Sequence, residues 1–275
     1  MPSPHHAVPL LVRSATIALR TPSLWLPALV LLAPTLLVQL LAPGYLRTRL
    51  APSLWTVVVG SLCLTWLGQV AWPVVSACVH ARLAGRPARV TRNVLAVALS
   101  MGTRTTLGLA AGILPGLWLQ ARYAFAPLIA AGGTPSASHV LRASARESSP
   151  AIRVLLSLSA AAFVATLGGQ SVAAVVAEAL GTIRPVGVVE GRVVFELAYA
   201  PHAVTSLVAY LISSGVMTAQ AVGVSLAYGG AYDPPYRMLV DDTPGSFSPA
   251  TRATAMLVAA AGLAAVAYKL HQHVF

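Results

Sequence analysis

Charge is what this sequence has least of. Only 9% of its 275 residues are charged, against roughly 25% in soluble domains, which excludes an ordinary water-soluble globule. Acids are scarcest, with seven Asp and Glu in all. No paired carboxylates stand where a catalytic acid and base would need them. Lysine is all but missing: 17 of the 18 basic residues are arginine and the exception is Lys269. Cysteine is limited to Cys63 and Cys78, 15 residues apart in one apolar segment. On a helix rising about 1.5 Å per residue, that spacing is too wide for a bridge. A disulfide framework is therefore excluded, and both read as small buried hydrophobes.

Chemical motifs are missing too. No Gly-x-Ser-x-Gly occurs, and no His-Asp pair is placed to activate a serine, so no enzymatic activity is expected. His5-His6 and the pair His271 and His273 lack neighbouring thiols or carboxylates, so neither a metal nor a cofactor is expected. Asp241-Asp242 lies in a Gly- and Pro-rich stretch and reads as a solvated acidic patch.

What is present is apolar. Hydrophobic residues make up 57% of the chain and mean hydropathy is +0.75, which together indicate an all-α, polytopic transmembrane bundle forming one integral membrane domain over residues 1–275. The net charge of +11 reads as a topology signal and an attraction to anionic lipid. Nucleic acid is not expected as a partner, since no soluble basic domain is visible.

Residues 7–20 place Val8, Leu11, Ile17 and Leu19 around Arg13 and Arg20, the pattern of an interfacial helix on the cytoplasmic leaflet. Thr21-Pro22-Ser23 offers a stop and a fresh start. Residues 24–42 form a first span, with Pro27 and Pro34 predicting a kink. It has no small-x-small cleavage site and is read as retained. Residues 53–78 make a second span, with Trp55 and Trp72 towards its ends. Further spans are expected at 151–180, 198–228 and 252–268, about 20 apolar residues being enough to cross. Ser136 is placed to cap a polar surface helix that carries Arg142, Arg146 and Glu147. The stretch TIRPVGVVEGRVVFE reads as a small hairpin or a tight turn around Glu190-Gly191.

Residues 94–131 are apolar but broken, and are read as a hairpin turning at Pro115-Gly116, with Pro127 as a further breaker. Its second arm is about 15 residues long, which leaves open a full crossing or a re-entrant return. The fold is therefore five full spans plus the hairpin, 6–7 membrane segments in all. The arginines support this. With a cytoplasmic N-terminus and a hairpin that returns to its own side, 12 basic residues lie inside and five outside. A single crossing would destroy the asymmetry. The inner group contains a basic face of Arg82, Arg86, Arg89, Arg92, Arg104, Arg142 and Arg146.

That count leaves Arg122 in the membrane, flanked by Gln120 and Tyr123. An arginine at bilayer centre costs about 2.5–3.5 kcal/mol on insertion scales. Two readings follow: a ligand for an anion or lipid headgroup, or a structural clamp that pins the hairpin or snorkels to the interface. Gln39, Gln69, Gln120, Gln170 and Gln220 suit interhelical hydrogen bonds. Glu178, Glu196 and His202 fall at span ends and suit the interface.

The run ILPGLWLQARYAFAPLIAAGG, followed by TPSASHVLRASARES, resembles the integral membrane proteins related to the membrane domain of glycerophosphodiester phosphodiesterases and the YciC-like uncharacterised family. Pro115, Gly116, Arg122, Phe125, Ala126, Pro127 and the helix from Ser136 to Ser144 carry the likeness, which spans about 40 residues. This chain departs from that family in its final span and in having no attached phosphodiesterase domain. The resemblance implies a helical membrane fold and no activity. The expected role is a non-enzymatic scaffold, assembly partner or lipid-associated component of the plasma (inner) membrane, with anionic lipids and a protein partner or homo-oligomer as candidate partners. The alternative is a transporter or channel for an anionic or lipid substrate, using the broken hairpin and Arg122.

Overall fold

The computed structural model describes residues 7–47, 54–133, 136–179, 183–189, 192–197 and 199–232. The expected span at 252–268, Asp241-Asp242 and the terminal histidines lie outside the described residues. Helix α1, Ala7–Arg20, buries Ser14, Ile17 and Ala18 and leaves Val8, Val12 and Leu19 exposed. Its outward face is thus apolar, as an interfacial helix requires. A 3-10 turn, Pro22–Trp25, follows, and the Trp25 indole donates to the Ala18 carbonyl at 2.8 Å, folding the chain from α1 into α2, Leu26–Arg47. Pro27 falls in the first turn of α2, where its missing N–H is no loss.

Helix α3, Leu54–Leu83, runs five residues past the expected end of its span and contains Pro73. Every residue from 71 to 79 is buried, so protein encloses this stretch on all sides. Gly85, at φ 64°, ends the helix. The Arg86 amide reaches back to the Ala81 carbonyl at 2.8 Å, closing a left-handed cap of the Schellman type. The Arg82 guanidinium donates to the Ser23 carbonyl.

Helix α4, Arg92–Ala111, opens on Thr91, whose hydroxyl accepts from the Val94 amide. It is followed by α5, Ile113–Arg122, and the short α6, Ala126–Ala131. Helix α7, Ala137–Glu147, is capped by Ser136 as its sequence predicts, the hydroxyl accepting from the His139 amide at 3.4 Å. Its buried face consists of Val140, Leu141 and Ser144. A one-turn 3-10 segment, Ser149–Ala151, leads into α8, Ile152–Ala179. An antiparallel ribbon of β1, Ile183–Val189, and β2, Arg192–Leu197, precedes α9, Tyr199–Tyr232. The ribbon pairs Ile183 with Leu197 and Val189 with Arg192, so the hairpin reading of this stretch holds.

Five of these segments are long and apolar enough to cross a membrane: Pro22–Leu40, Val59–Leu83, Arg92–Ala111, Ser149–Ala173 and Ala203–Gly229. The protein is a multi-pass membrane protein whose fold, among the described residues, is helical apart from the ribbon. It divides into two compact units. One takes in the described residues of Met1–Ala33, Ser53–Phe163 and Ser214–Gly245. In the other, those of Pro34–Pro52, Val164–Ser213 and Ser246–Phe275, Gly169 receives the Ile212 side chain.

The first unit is packed through small residues. Trp72, Val97, Met101, Phe125, Val140, Leu141, Leu155 and Leu158 share one core. Ile17, Leu24, Ala28, Val75, Val79 and Val222 make another. Gly215 receives the Trp25 ring, and Gly223 faces Leu158. Gln220 donates to Ser159 at 3.4 Å, an interhelical bond of the kind expected of the membrane glutamines, whereas Gln170 is exposed.

The tightest approach is between α4 and α5. A methyl group at Gly116 would fall 2.8 Å from the Leu109 amide nitrogen, and one at Gly108 would fall 3.1 Å from the Gly116 Cα. The expected outcome for Gly116→Ala is a loss of about 1–3 kcal/mol from overpacking, read as a lower melting temperature in detergent. Gly68→Ala has nothing within 4 Å of the added methyl and should hold or raise the midpoint through helix propensity.

Candidate functional site

The hairpin and the residues around Arg122 form the candidate site. Its corner is not where the Pro-Gly pair suggested. The chain turns at Gly112, whose φ of 152° favours glycine and whose amide donates to the Gly108 and Leu109 carbonyls. Pro115 and Gly116 belong to the first turn and a half of α5, where proline loses no helical bond. Gly116 is instead the contact that lets α5 lie against α4. Pro127, also read as a breaker, sits in the first turn of α6 and is buried. The sequence carried a signal for the true corner: Gly108, Gly112 and Gly116 recur every fourth residue, the spacing that brings helix backbones together.

Arg122 ends α5, and two parts of it do different work. Its carbonyl accepts hydrogen bonds from the Ser148 hydroxyl at 2.8 Å and the Ser144 hydroxyl at 3.3 Å. Both serines are fully buried, so α7 and the residue that follows it cap the end of α5, whose last carbonyls have no partner within the helix. The guanidinium lies over the Trp118 ring, 4.8 Å from its centre. Such a cation–π contact is worth about 0.5–1 kcal/mol at an exposed site. That is less than an arginine costs at bilayer centre, so the contact orients the group without settling its charge.

Tyr123, next in the chain, meets a second arginine. The Arg104 guanidinium lies 5.9 Å from the centre of the Tyr123 ring and donates to its hydroxyl at 3.5 Å, the limit of a hydrogen bond. Arg104 had been assigned to the cytoplasmic basic loop. It sits instead inside α4, twelve residues beyond Arg92, where it meets Tyr123, the residue that follows Arg122. Sequence reading named Arg104 only as part of the basic face, because nothing in the pattern ties it to Tyr123, 19 residues away. Gln120 is half-buried on α5. Among the described residues neither Arg104 nor Arg122 meets a carboxylate.

The other predicted basic residues divide by element. Arg82 is fastened to the Ser23 carbonyl. Arg86, Arg89 and Arg92 are exposed around the turn from α3 to α4, and Arg142 and Arg146 are exposed on α7. Beneath the site, Phe125 is fully buried and meets Tyr228 edge-on at 5.2 Å, and Tyr228 meets His80 at 5.8 Å. Above the hairpin rim the surface is apolar: Leu107, Ile113, Leu114 and Trp118 are all exposed, Leu114 by 78%. No group of three or more His, Cys, Asp or Glu side chains converges among the described residues. No family model matches the chain, and neither a curated protein nor a solved structure does.

Glu147 closes α7 beside the capping serines. Its Oε2 is enclosed without a hydrogen-bond partner among the described residues, and burial pushes its carboxyl above the ordinary carboxylate range. A carboxyl so shifted holds its proton longer in the folded than in the unfolded protein. Stability therefore falls as pH rises through that interval. Glu147→Gln should raise the melting temperature at neutral pH and flatten the decline seen above about pH 4.5 in the parent. The double variant Ser144→Ala/Ser148→Ala should lose about 1–3 kcal/mol, since it strands the Arg122 carbonyl. Ser138→Ala, on the exposed side of α7, serves as the control.

Proposed function

We propose that this chain is a non-enzymatic, lipid-associated scaffold or assembly component of the plasma membrane, with its N-terminus in the cytoplasm. The observation that carries this reading is the rim of the hairpin. There two aromatic-held arginines border an apolar surface, with more exposed arginines on the adjoining turn and on α7. Positive charge beside a membrane-entering surface suits anionic lipid. The asymmetry of arginines supports this orientation, with α1, the turn from α3 to α4, and α7 on the cytoplasmic side. The likeness of residues 113–148 to membrane proteins related to the glycerophosphodiester phosphodiesterase membrane domain fits a lipid setting and supplies no reaction. The exposed apolar faces of α3 and α8, with Leu62, Leu67, Val164 and Leu167, suit lipid contact or a second copy of the chain.

A transporter reading draws on one observation, the helix break at Gly112 beside Arg122, because broken helices frame many substrate sites. The two are separated by gentle purification followed by mass spectrometry of what remains bound. Retained anionic lipid or a stoichiometric protein partner supports the scaffold reading. In reconstituted vesicles, uptake of a labelled anion that is lost in a folded Arg122→Ala variant would replace it with transport.

A further inference from the structure

The hairpin rim poses a problem of depth. Helix α4 is long and apolar enough to cross a bilayer. A full crossing beginning at Arg92 would carry Arg104 about 18 Å down its axis, near the middle of a hydrocarbon layer about 30 Å thick. Arg122 would come with it, since its neighbour Tyr123 touches Arg104. Neither arginine meets a carboxylate among the described residues. Among the described residues, an aromatic face and a phenol are what they meet in compensation.

We propose that the α4–α5 hairpin is a half-bilayer wedge, and that Arg104 and Arg122 at its rim bind the phosphodiester of an anionic glycerophospholipid in the leaflet the wedge enters. Residues 105–121 contain no charge. From Arg104 to the corner at Gly112 is eight residues, about 12 Å of helix, and from Gly112 to Arg122 ten residues, about 15 Å. Both lengths match one leaflet of a hydrocarbon core about 30 Å thick. The first half of α4 is packed on one side, where Val94, Val97, Ala98 and Met101 are buried in protein, while Leu95 and Leu99 are half-exposed on the other. The tip needs lipid around it, with Leu107, Ile113 and Leu114 exposed.

The level of the rim is set by a bond. Ser148 donates to the Arg122 carbonyl and directly precedes the apolar segment Ser149–Ala173. An entry of α8 into the membrane at Ser149 puts Arg122 at the depth of the headgroups. Trp118 and Tyr123 are the residue types that populate this layer. The Arg122 guanidinium lies over the Trp118 ring and Arg104 directs one N–H to the Tyr123 hydroxyl, which leaves the other N–H groups for phosphate oxygens, accepting them as charge-assisted hydrogen bonds. Acyl chains would then lie along Leu107 and Leu114. This deepens the lipid-associated reading and rests on it only for the identity of the ligand.

The test uses the full chain in vesicles of phosphatidylcholine, with or without phosphatidylglycerol. In a Cys63→Ser/Cys78→Ala background, the Leu114→Cys variant should resist a membrane-impermeant maleimide from both sides. A fluorophore placed there should be quenched by lipids with a mid-chain nitroxide. Labelling from the face opposite an Arg89→Cys reporter means a full crossing and overturns the wedge. For the headgroup site, native mass spectrometry should find phosphatidylglycerol on the parent, reduced about tenfold or more in Arg104→Gln/Arg122→Gln and by clearly less in Arg142→Gln/Arg146→Gln, an equal loss in the two variants overturning the rim site. Arg122→Lys keeps the charge needed for insertion and should still lose retention, because the planar fork and the Trp118 stacking are gone. Millimolar inorganic phosphate should not displace the lipid, and displacement would mark a free-anion site instead. Equal phosphatidylglycerol on parent and Arg104→Gln/Arg122→Gln protein overturns the site and leaves lipid association standing. A parent that retains no anionic lipid overturns both.

Discussion

Two helix backbones can lie against each other only where nothing projects between them, and the α4–α5 contact meets that condition with Gly108 facing Gly116. Much of the first unit follows from it. With the arms in contact, the chain must reverse within one residue, and Gly112 does so with a backbone conformation that side chains disfavour. The same closeness fixes the rotation of α5, which carries Trp118 and Arg122 to the outer side and Ala121 into the core. Helix α5 then ends early, and its stranded carbonyl is taken up by two serines of α7. A polar helix is thereby bound to an apolar hairpin through a backbone group.

This arrangement separates two properties often credited to one residue. Arg122 was a candidate for either clamp or ligand. Its main chain performs the clamping, while its side chain is turned outwards and supported by an aromatic ring. Replacing the side chain therefore leaves the Ser144 and Ser148 bonds in place, which makes Arg122 suited to functional substitution. The serines are the structural half of the pair.

The elements with strong local signals were legible in the sequence. Amphipathic periodicity marks α1, Ser136 marks the start of α7, and the turn signal at Glu190-Gly191 marks the β-ribbon. Long apolar runs mark the spans, although α3 continues to Leu83 because its last turns are buried by protein and tolerate His80 and Arg82. The corner of the hairpin was misplaced by three residues. Proline and glycine together look like a break, yet proline in a first helical turn is harmless and Gly116 was needed for proximity. Arg104 was misread for a related reason: charge alone does not distinguish a loop from a helix whose outer face is polar at one level. Ser144 and Ser148 gave no signal, since a bond from a side chain to a carbonyl more than 20 residues away leaves no pattern in the sequence.

The second buried cluster carries a consequence for how the chain is made. Ile17, Leu24 and Ala28 pack with Val75 and Val79, but also with Ala221 and Val222, and the Trp25 ring fills the hollow over Gly215. These partners are separated by roughly 200 residues of sequence, which a ribosome working at about 5–20 residues per second needs on the order of 10–40 s to produce. For that interval the leading helices have entered the membrane with their inner faces unfilled. The finished core therefore closes last around its first-made part. During synthesis those small-residue hollows are open to whatever membrane chaperone or neighbouring helix shares the insertion site.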